Sequence, residues 1–235
     1  MSPLGPILLS LRVAVVATTV TLVVGLGLAR LLGSRAVPLK FLWEALILLP
    51  MVFPPTITGY LLLILFGRRG PLGKLLASMG MQVVFTWAAA VIASVVVSLP
   101  LMYQNCKAAL LGVDGRLEDA ARTLGLSEGR IFRRVTLPLS LPGILAGVAL
   151  AFARALGEFG ATLMIAGNIP GRTQTVPLAL YSAVEGGRTA EANLYLAVTT
   201  VLAFAVVAVV GLGEARSRRP RRGRDRGDAA FGGRS

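Results

Sequence analysis

Histidine is absent from this sequence of 235 residues, and cysteine occurs once, at Cys106. Without histidine the usual proton shuttle and metal ligand near neutral pH is missing, and a single thiol excludes an internal disulfide. Scattered serines beside that cysteine form no convincing triad, so the residues argue against a membrane enzyme. No phosphate loop of the GxxxxGKS type occurs, which excludes ATP hydrolysis by this chain alone. No repeated carbonyl or charge-ring motif suggests a channel filter either. Charge itself is scarce. Only 15% of the residues are charged, where a soluble domain has about a quarter, and 55% are hydrophobic. So few polar groups cannot cover a globule, and the chain reads as an all-α, polytopic membrane protein.

The net charge of +13 does not point to nucleic acid. Eight of the 24 basic residues follow Glu214 in a Gly- and Arg-rich tail, and others sit in short loops between apolar runs. That distribution fits the positive-inside rule of membrane topology. The tail, 214–235, reads as a disordered cytoplasmic end or as a lipid contact.

About five spans are expected, because a helix needs roughly 20 apolar residues to cross a hydrocarbon layer. Pro6 to Leu32 is the first, too long for a signal peptide and without its basic start or cleavage site; Arg12 near its beginning is placed to snorkel. Leu42 to Phe66 is the second, and Pro54, Pro55 and Gly59 inside it argue against a uniform rod. Broken backbone at that depth is tolerated only against protein or a water-filled cavity, so Pro54 and Pro55 mark either a pathway-lining break or a packed kink. Met81 to Leu101 is the third, with Trp43 and Tyr103 as interface anchors or ordinary packing. The fourth runs from Leu139 to Ala166 and the fifth from Leu194 to Leu212. Val176 to Val184 is apolar but too short to span. An odd number of spans puts the termini on opposite faces. The surplus of Arg30, Arg35, Lys40, Lys107, Arg116, Arg122, Arg130, Arg133, Arg134 and the tail favours the amino end outside and the carboxyl end inside.

Ionisable residues within a span are costly and face a bundle interior, a cavity or a partner. Arg154 and Glu158, four apart in the fourth segment, can pair across one turn. They are either part of a gate or a neutralised pair that holds helices together. Thr56, Thr58 and Thr162 can line a route as hydroxyl donors, or bond their own backbone. Gly157 and Gly160 suit close helix packing. Arg172, Thr173 and Gln174 fall in an outer loop.

The one long charged interruption is LEDAARTLGLSEGRIFRRVTLP, Leu117 to Pro138. Asp114 to Arg122 has the character of a helix start, and Gly125 suits a helix end. Ser127 can cap, but Arg130 three residues later completes no capping box. Two short helices with a turn at Gly125 are expected, with Glu118 and Arg122 paired on one face and Pro138 leading the chain back into the bilayer.

DAARTLG, nine residues, then VTLP resembles the cytoplasmic signature of permease subunits of bacterial ATP-binding-cassette importers. Asp119 stands where the signature has glutamate and Val135 where it has isoleucine; Ala120, Ala121, Gly125, Leu137 and Pro138 match. Residues 51–73, 117–125 and 136–181 resemble the molybdate or tungstate branch more narrowly, and most of 5–213 shares the likeness. Permeases for sulfate or thiosulfate share part of the pattern, including a GEFG element, and are the competing branch. A structural membrane subunit is the alternative from another class. The resemblance implies an importer-permease domain at 5–213 whose segment 114–138 is a coupling loop. Glu118, Asp119, Ala120, Ala121, Gly125, Leu137 and Pro138 would meet the ATPase, and Pro54, Pro55, Thr56, Arg154, Glu158 and Thr162 would serve the gate or pathway. It also implies two permease copies, two cytoplasmic ATPase subunits holding ATP and Mg, a periplasmic oxyanion-binding protein, membrane lipid, and no cofactor in this chain.

Overall fold

The computed structural model describes residues 4–33 and 37–217. Arg35 and residues 218–235, most of the basic tail, lie outside that range. In chain order the helices are α1 (Leu4–Gly33), α2 (Lys40–Val52), α3 (Pro55–Phe66), α4 (Pro71–Ser78), α5 (Trp87–Leu111), α6 (Gly115–Thr123), α7 (Glu128–Ile131), a π turn (Phe132–Thr136), α8 (Leu137–Leu156), α9 (Gly160–Ala166), α10 (Val176–Glu185) and α11 (Thr189–Ser217).

The bundle forms around α1, α5 and α8. The buried stripe of α1, Val13, Ala14, Ala17, Thr18, Thr21, Gly25 and Ala29, recurs every three or four residues and is mostly small. It meets an equally small face of α5: Ala89, Ala90, Ala93, Ser94 and Val97. Lipid competes on equal terms for bulky apolar side chains, so close backbone approach between small residues is what holds spanning helices together. At Gly25 a methyl group would sit only 2.9 Å from Met102 Cγ. Val13 clusters with Ala89 and Ala93, whereas Ala29 clusters with Met102 and Cys106, so α1 and α5 run parallel. α8 runs against both: its Gly147 packs on Asn105, and its Ala155, near the far end, meets Ala14 and Ala17. Large apolar side chains such as Val23, Leu31, Leu145 and Phe204 point outward, an arrangement that suits a lipid solvent.

Four helical stretches are long and apolar enough to cross a membrane, and α2 with α3 forms a fifth candidate bent by 115°. α5 serves as a ruler for whether that bent pair crosses. Glu44 on α2 bonds Lys107 near the end of α5, while Leu62 on α3 shares a cluster with Ala89 and Ala90 near its start. Those levels are ~27 Å apart at 1.5 Å per residue. The pair therefore carries the chain from one end of the bundle to the other, and five crossings place the described ends of the chain at opposite ends. Ile7 at the start of α1 packs against the cluster of Val176, Ala179 and Tyr195, the last near the start of α11, consistent with this count.

Several expected boundaries move. The third span is Trp87–Leu111, not Met81 to Leu101. Its start is delayed because Gly80 and Phe85 take positive φ and the Phe85 N–H bonds Ile165 O across the bundle. It continues past Leu101 because Tyr103, Asn105 and Lys107 find partners along the way. The fourth span does not run unbroken to Ala166: α8 stops at Leu156, and Gly157 to Phe159 separate it from α9. The fifth begins earlier, at Thr189, and the loop after Phe66 holds α4. The return of the chain into the bundle begins well before Pro138, since Glu128–Leu156 is one continuous helical stretch. Pro138 cannot donate to residue 134, and the π turn just before it already redirects Leu137 N–H to Phe132 O.

Candidate functional site

The two breaks in the spanning helices meet. Pro54 takes the cap position and Pro55 the first turn of α3, where a fixed φ and a missing N–H are tolerated. Gly160, the first residue of α9, sits against them: a Cβ there would lie 3.2 Å from Pro55 Cβ and from Thr56 Cγ2. One turn further, a Cβ on Gly59 would lie 2.6 Å from Ala161 Cα. Helices α3 and α9 cross at backbone contact, which only glycine permits.

Glu158 occupies the second break and is 2% exposed. Its Oε2 accepts from Arg154 Nη1 at 2.8 Å, and its Oε1 accepts from the Ala161 N–H at 2.8 Å. Both oxygens are thus engaged, one by a cation and one by the open end of α9, which offsets the desolvation a buried carboxylate otherwise suffers. Phe159 turns the other way, against the Tyr181 ring of α10. Thr162 is buried, and its hydroxyl, like that of Thr58, has no hydrogen-bond partner; Thr56 is exposed. Of the six residues assigned to the gate or pathway, Pro55 and Thr56 lie against Gly160, two residues after Glu158, which holds Arg154; Pro54, Pro55 and Thr56 are exposed, whereas Glu158 and Thr162 are buried.

At the end of the bundle where α5 stops, the charged loop forms a second unit. Asp114 caps α6, its carboxylate accepting from the Arg116 N–H at 2.9 Å. Gly125, at φ 77°, ends it, and the Leu126 N–H returns to Ala121 O, the pattern of a Schellman stop. Ser127 stands at the cap of α7 but makes no capping bond. Arg122 does more than the expected pairing with Glu118, which is its longest at 3.8 Å: it also binds Asp119 at 2.6 Å and Glu128 at 2.7 Å, tying α6 to α7. These bonds, to Glu128 first and then Asp119, raise the Arg122 pKa above its ordinary value, and the same bond holds the Glu128 carboxyl below its own. A carboxyl held low contributes above the ordinary glutamate pKa and is lost only as pH falls through the lowered value, so the clamp persists across the neutral range.

The signature residues divide between two faces. Asp119 and Ala120 are exposed, and so is Pro138. Ala121 is 6% exposed and turned into the chain. Glu118 is half-buried and accepts from Thr136 Oγ1 at 2.5 Å, and Leu137 packs with the cluster around Met102. Arg30 at the end of α1 lies over the Phe132 ring, 3.9 Å from its centroid.

One polar group of the bundle went unnoticed in the sequence. Glu44 Oε1 accepts from Lys107 Nζ at 2.7 Å and from the Tyr103 hydroxyl at 3.0 Å, pinning α2, none of whose residues is buried, to α5. The available signal was Glu44 itself, an acid inside an apolar run.

A bundle in which α3 and α9 meet at backbone contact, with a braced polar loop at one end, is a polytopic membrane fold that chains of solved importers share. A chain of the MetNI methionine ABC transporter, in inward-facing conformations, aligns with a TM-score of 0.69 over 89% of this chain and 94% of that one, at 20% identity. A chain from a bacterial ABC transporter that imports the polysaccharide alginate aligns at 0.61 over 91% and 79%, at 15% identity. Residues 21–222 match the family of binding-protein-dependent transport system inner membrane components, and the chain belongs to that family. Among its relatives, the molybdenum transport system permease protein ModB of Escherichia coli (strain K12) is 47% identical over 191 residues, covering 80% of this chain and 83% of that one. The ModB of Mycobacterium tuberculosis is 40% identical over 203 residues, 86% and 77% of the two chains. A probable sulfate transport system permease protein, cysT of Chlorokybus atmophyticus, is 33% identical over 201 residues, 84% and 70%. The chain is thus a multi-pass membrane subunit of an importer that works with a binding protein.

Proposed function

We propose that this chain is the permease of a molybdate or tungstate importer. The observation that carries the reading is the 47% identity to the Escherichia coli molybdenum permease across 191 residues, which include the junction and the loop. A tetrahedral dianion is excluded from hydrocarbon, so it needs a route that changes access from one side to the other, and discontinuous helices that meet within the layer are suited to form one. Pro54, Pro55 and Thr56 are exposed in the single chain. Non-helical backbone at this depth requires protein or water beside it, which supports a second copy of the chain enclosing a shared route there. The substrate test is reconstituted uptake with the matching binding protein: unlabelled molybdate and tungstate compete with labelled molybdate, and sulfate at the same concentration does not. Equal competition by sulfate would move the chain to the sulfate branch, for which the 33% relative stands.

The loop 114–138 is the coupling element in this proposal, docking on a separate cytoplasmic ATPase subunit through its exposed Asp119 and Ala120. Closure of an ATPase pair would draw the loops of two permeases together and open the route outward, and hydrolysis would reset it. Basic residues of this loop and at the end of α1 support a cytoplasmic placement, with the amino end periplasmic. The buried Cys106 is the one native thiol, so a cysteine introduced as Ala120→Cys reports cleanly. It is expected to react with an impermeant reagent only from the cytoplasmic face, and to be shielded when the ATPase subunit binds. Reaction from outside would reverse the topology, and undiminished reaction in the complex would remove the docking role.

A further inference from the structure

Glu118, just before the signature, does not face outward with its neighbour Asp119. Its carboxylate is held at 2.5 Å by Thr136, which is 7% exposed and sits at the last position of the π turn. The π turn makes that bond possible. Ile131 and Thr136 are both buried, yet residues five apart on an α-helix point about 140° away from each other. A π turn adds one residue to the circuit and brings them to the same side. From Thr136 the buried stripe continues as Ser140, Ile144, Gly147, Ala151 and Ala155, the last of them three residues before Glu158. The coupling helix is therefore bonded to the very face of α8 that leads to the junction of the two breaks.

We propose that Thr136 is a positioning residue for transport, and that the Thr136 to Glu118 bond is the joint through which displacement of α6 turns α8. This rests on the coupling role given above to residues 114–138. Arg122 makes α6 and α7 one body through Glu128, but the covalent path from that body to α8 passes through a π turn, where the i→i−4 ladder is interrupted. The side-chain bond reaches across it to its last residue, next to α8. Asp119 and Ala120 face the motor, and Glu118 faces the chain's own helix.

The test uses the full importer, permease with its ATPase subunit and binding protein, in proteoliposomes, and reads molybdate taken up per ATP hydrolysed. Association of the wild-type chain with the ATPase subunit is measured first; its absence would remove the coupling role itself, and this inference with it. Thr136→Val keeps shape and removes the donor, and Glu118→Gln weakens the same bond from the other side. Both are expected to assemble and hydrolyse ATP while uptake per ATP falls about tenfold, the weight of one charge-assisted hydrogen bond, and Thr136→Ser is expected to restore it. A wild-type ratio in an assembled Thr136→Val or Glu118→Gln importer overturns the proposal. Loss of assembly in both also overturns it, because the bond would then serve folding alone, and so does failure of Thr136→Ser to recover the ratio.

Discussion

Gly59→Val will force α3 and α9 apart. A Cβ at this position would lie 2.6 Å from Ala161 Cα, 2.8 Å from Ala161 O and 2.8 Å from Met164 Cβ. The first two are backbone atoms, so no side-chain rotation can relieve the overlap and a helix must shift. Overpacking of this kind costs about 1–3 kcal/mol, and more where the main chain has to move. Because the displaced helices carry both breaks, uptake is expected to be lost even in protein that still assembles. Gly27→Val is the matched control: it lies on the exposed side of α1 with nothing within 4 Å, and should behave as wild type. Thermal unfolding in detergent and reconstituted uptake check both variants, and a Gly59→Val protein with normal stability and normal uptake would show that the crossing does not matter.

Arg154→Ala is expected to destabilise the chain by about 2 kcal/mol, less than a fully buried ion pair would cost, because the Arg154 side chain is 34% exposed while Glu158 is 2% exposed. What remains is a carboxylate 2% exposed, with the Ala161 N–H as its one other bonded partner. Adding Glu158→Gln to that variant should recover much of the loss, since an amide is neutral and its oxygen can still accept from Ala161. The double variant being no more stable than Arg154→Ala would sink the electrostatic account. Glu158→Gln alone separates the roles left open by the sequence. A gate residue loses transport while the complex assembles; a packing pair keeps it, and normal uptake by Glu158→Gln would end the gating role.

The pairing of Arg154 with Glu158 was legible because four residues of helix settle it without reference to the rest of the chain. The same holds for Asp114 as a helix start and Gly125 as a stop: capping and positive φ are decided within one turn. The break at Gly157 was not legible, because a glycine beside an acid in an apolar run reads equally well as packing, and the neighbours that Gly160 meets there, Pro55 and Thr56, come from a segment about a hundred residues earlier. The resemblance sets Ala121 against the ATPase, but in the single chain it is 6% exposed and turned into the chain's own body, a placement that the loop's local pattern does not carry.

The linear pattern of apolar runs and charges determined the class of protein and the place of the charged loop, since transfer to lipid is a sum over neighbouring residues and needs no fold; that the bent pair α2 and α3 counts as a crossing took the contacts of Glu44 and Leu62 with α5. Tertiary structure alone decided which breaks face each other, that Glu44 reaches Lys107 across 63 positions, and that Glu118 bonds Thr136 across 18. Those pairings depend on how helices of small residues settle against one another, and neither partner carries in its local sequence any mark of the other.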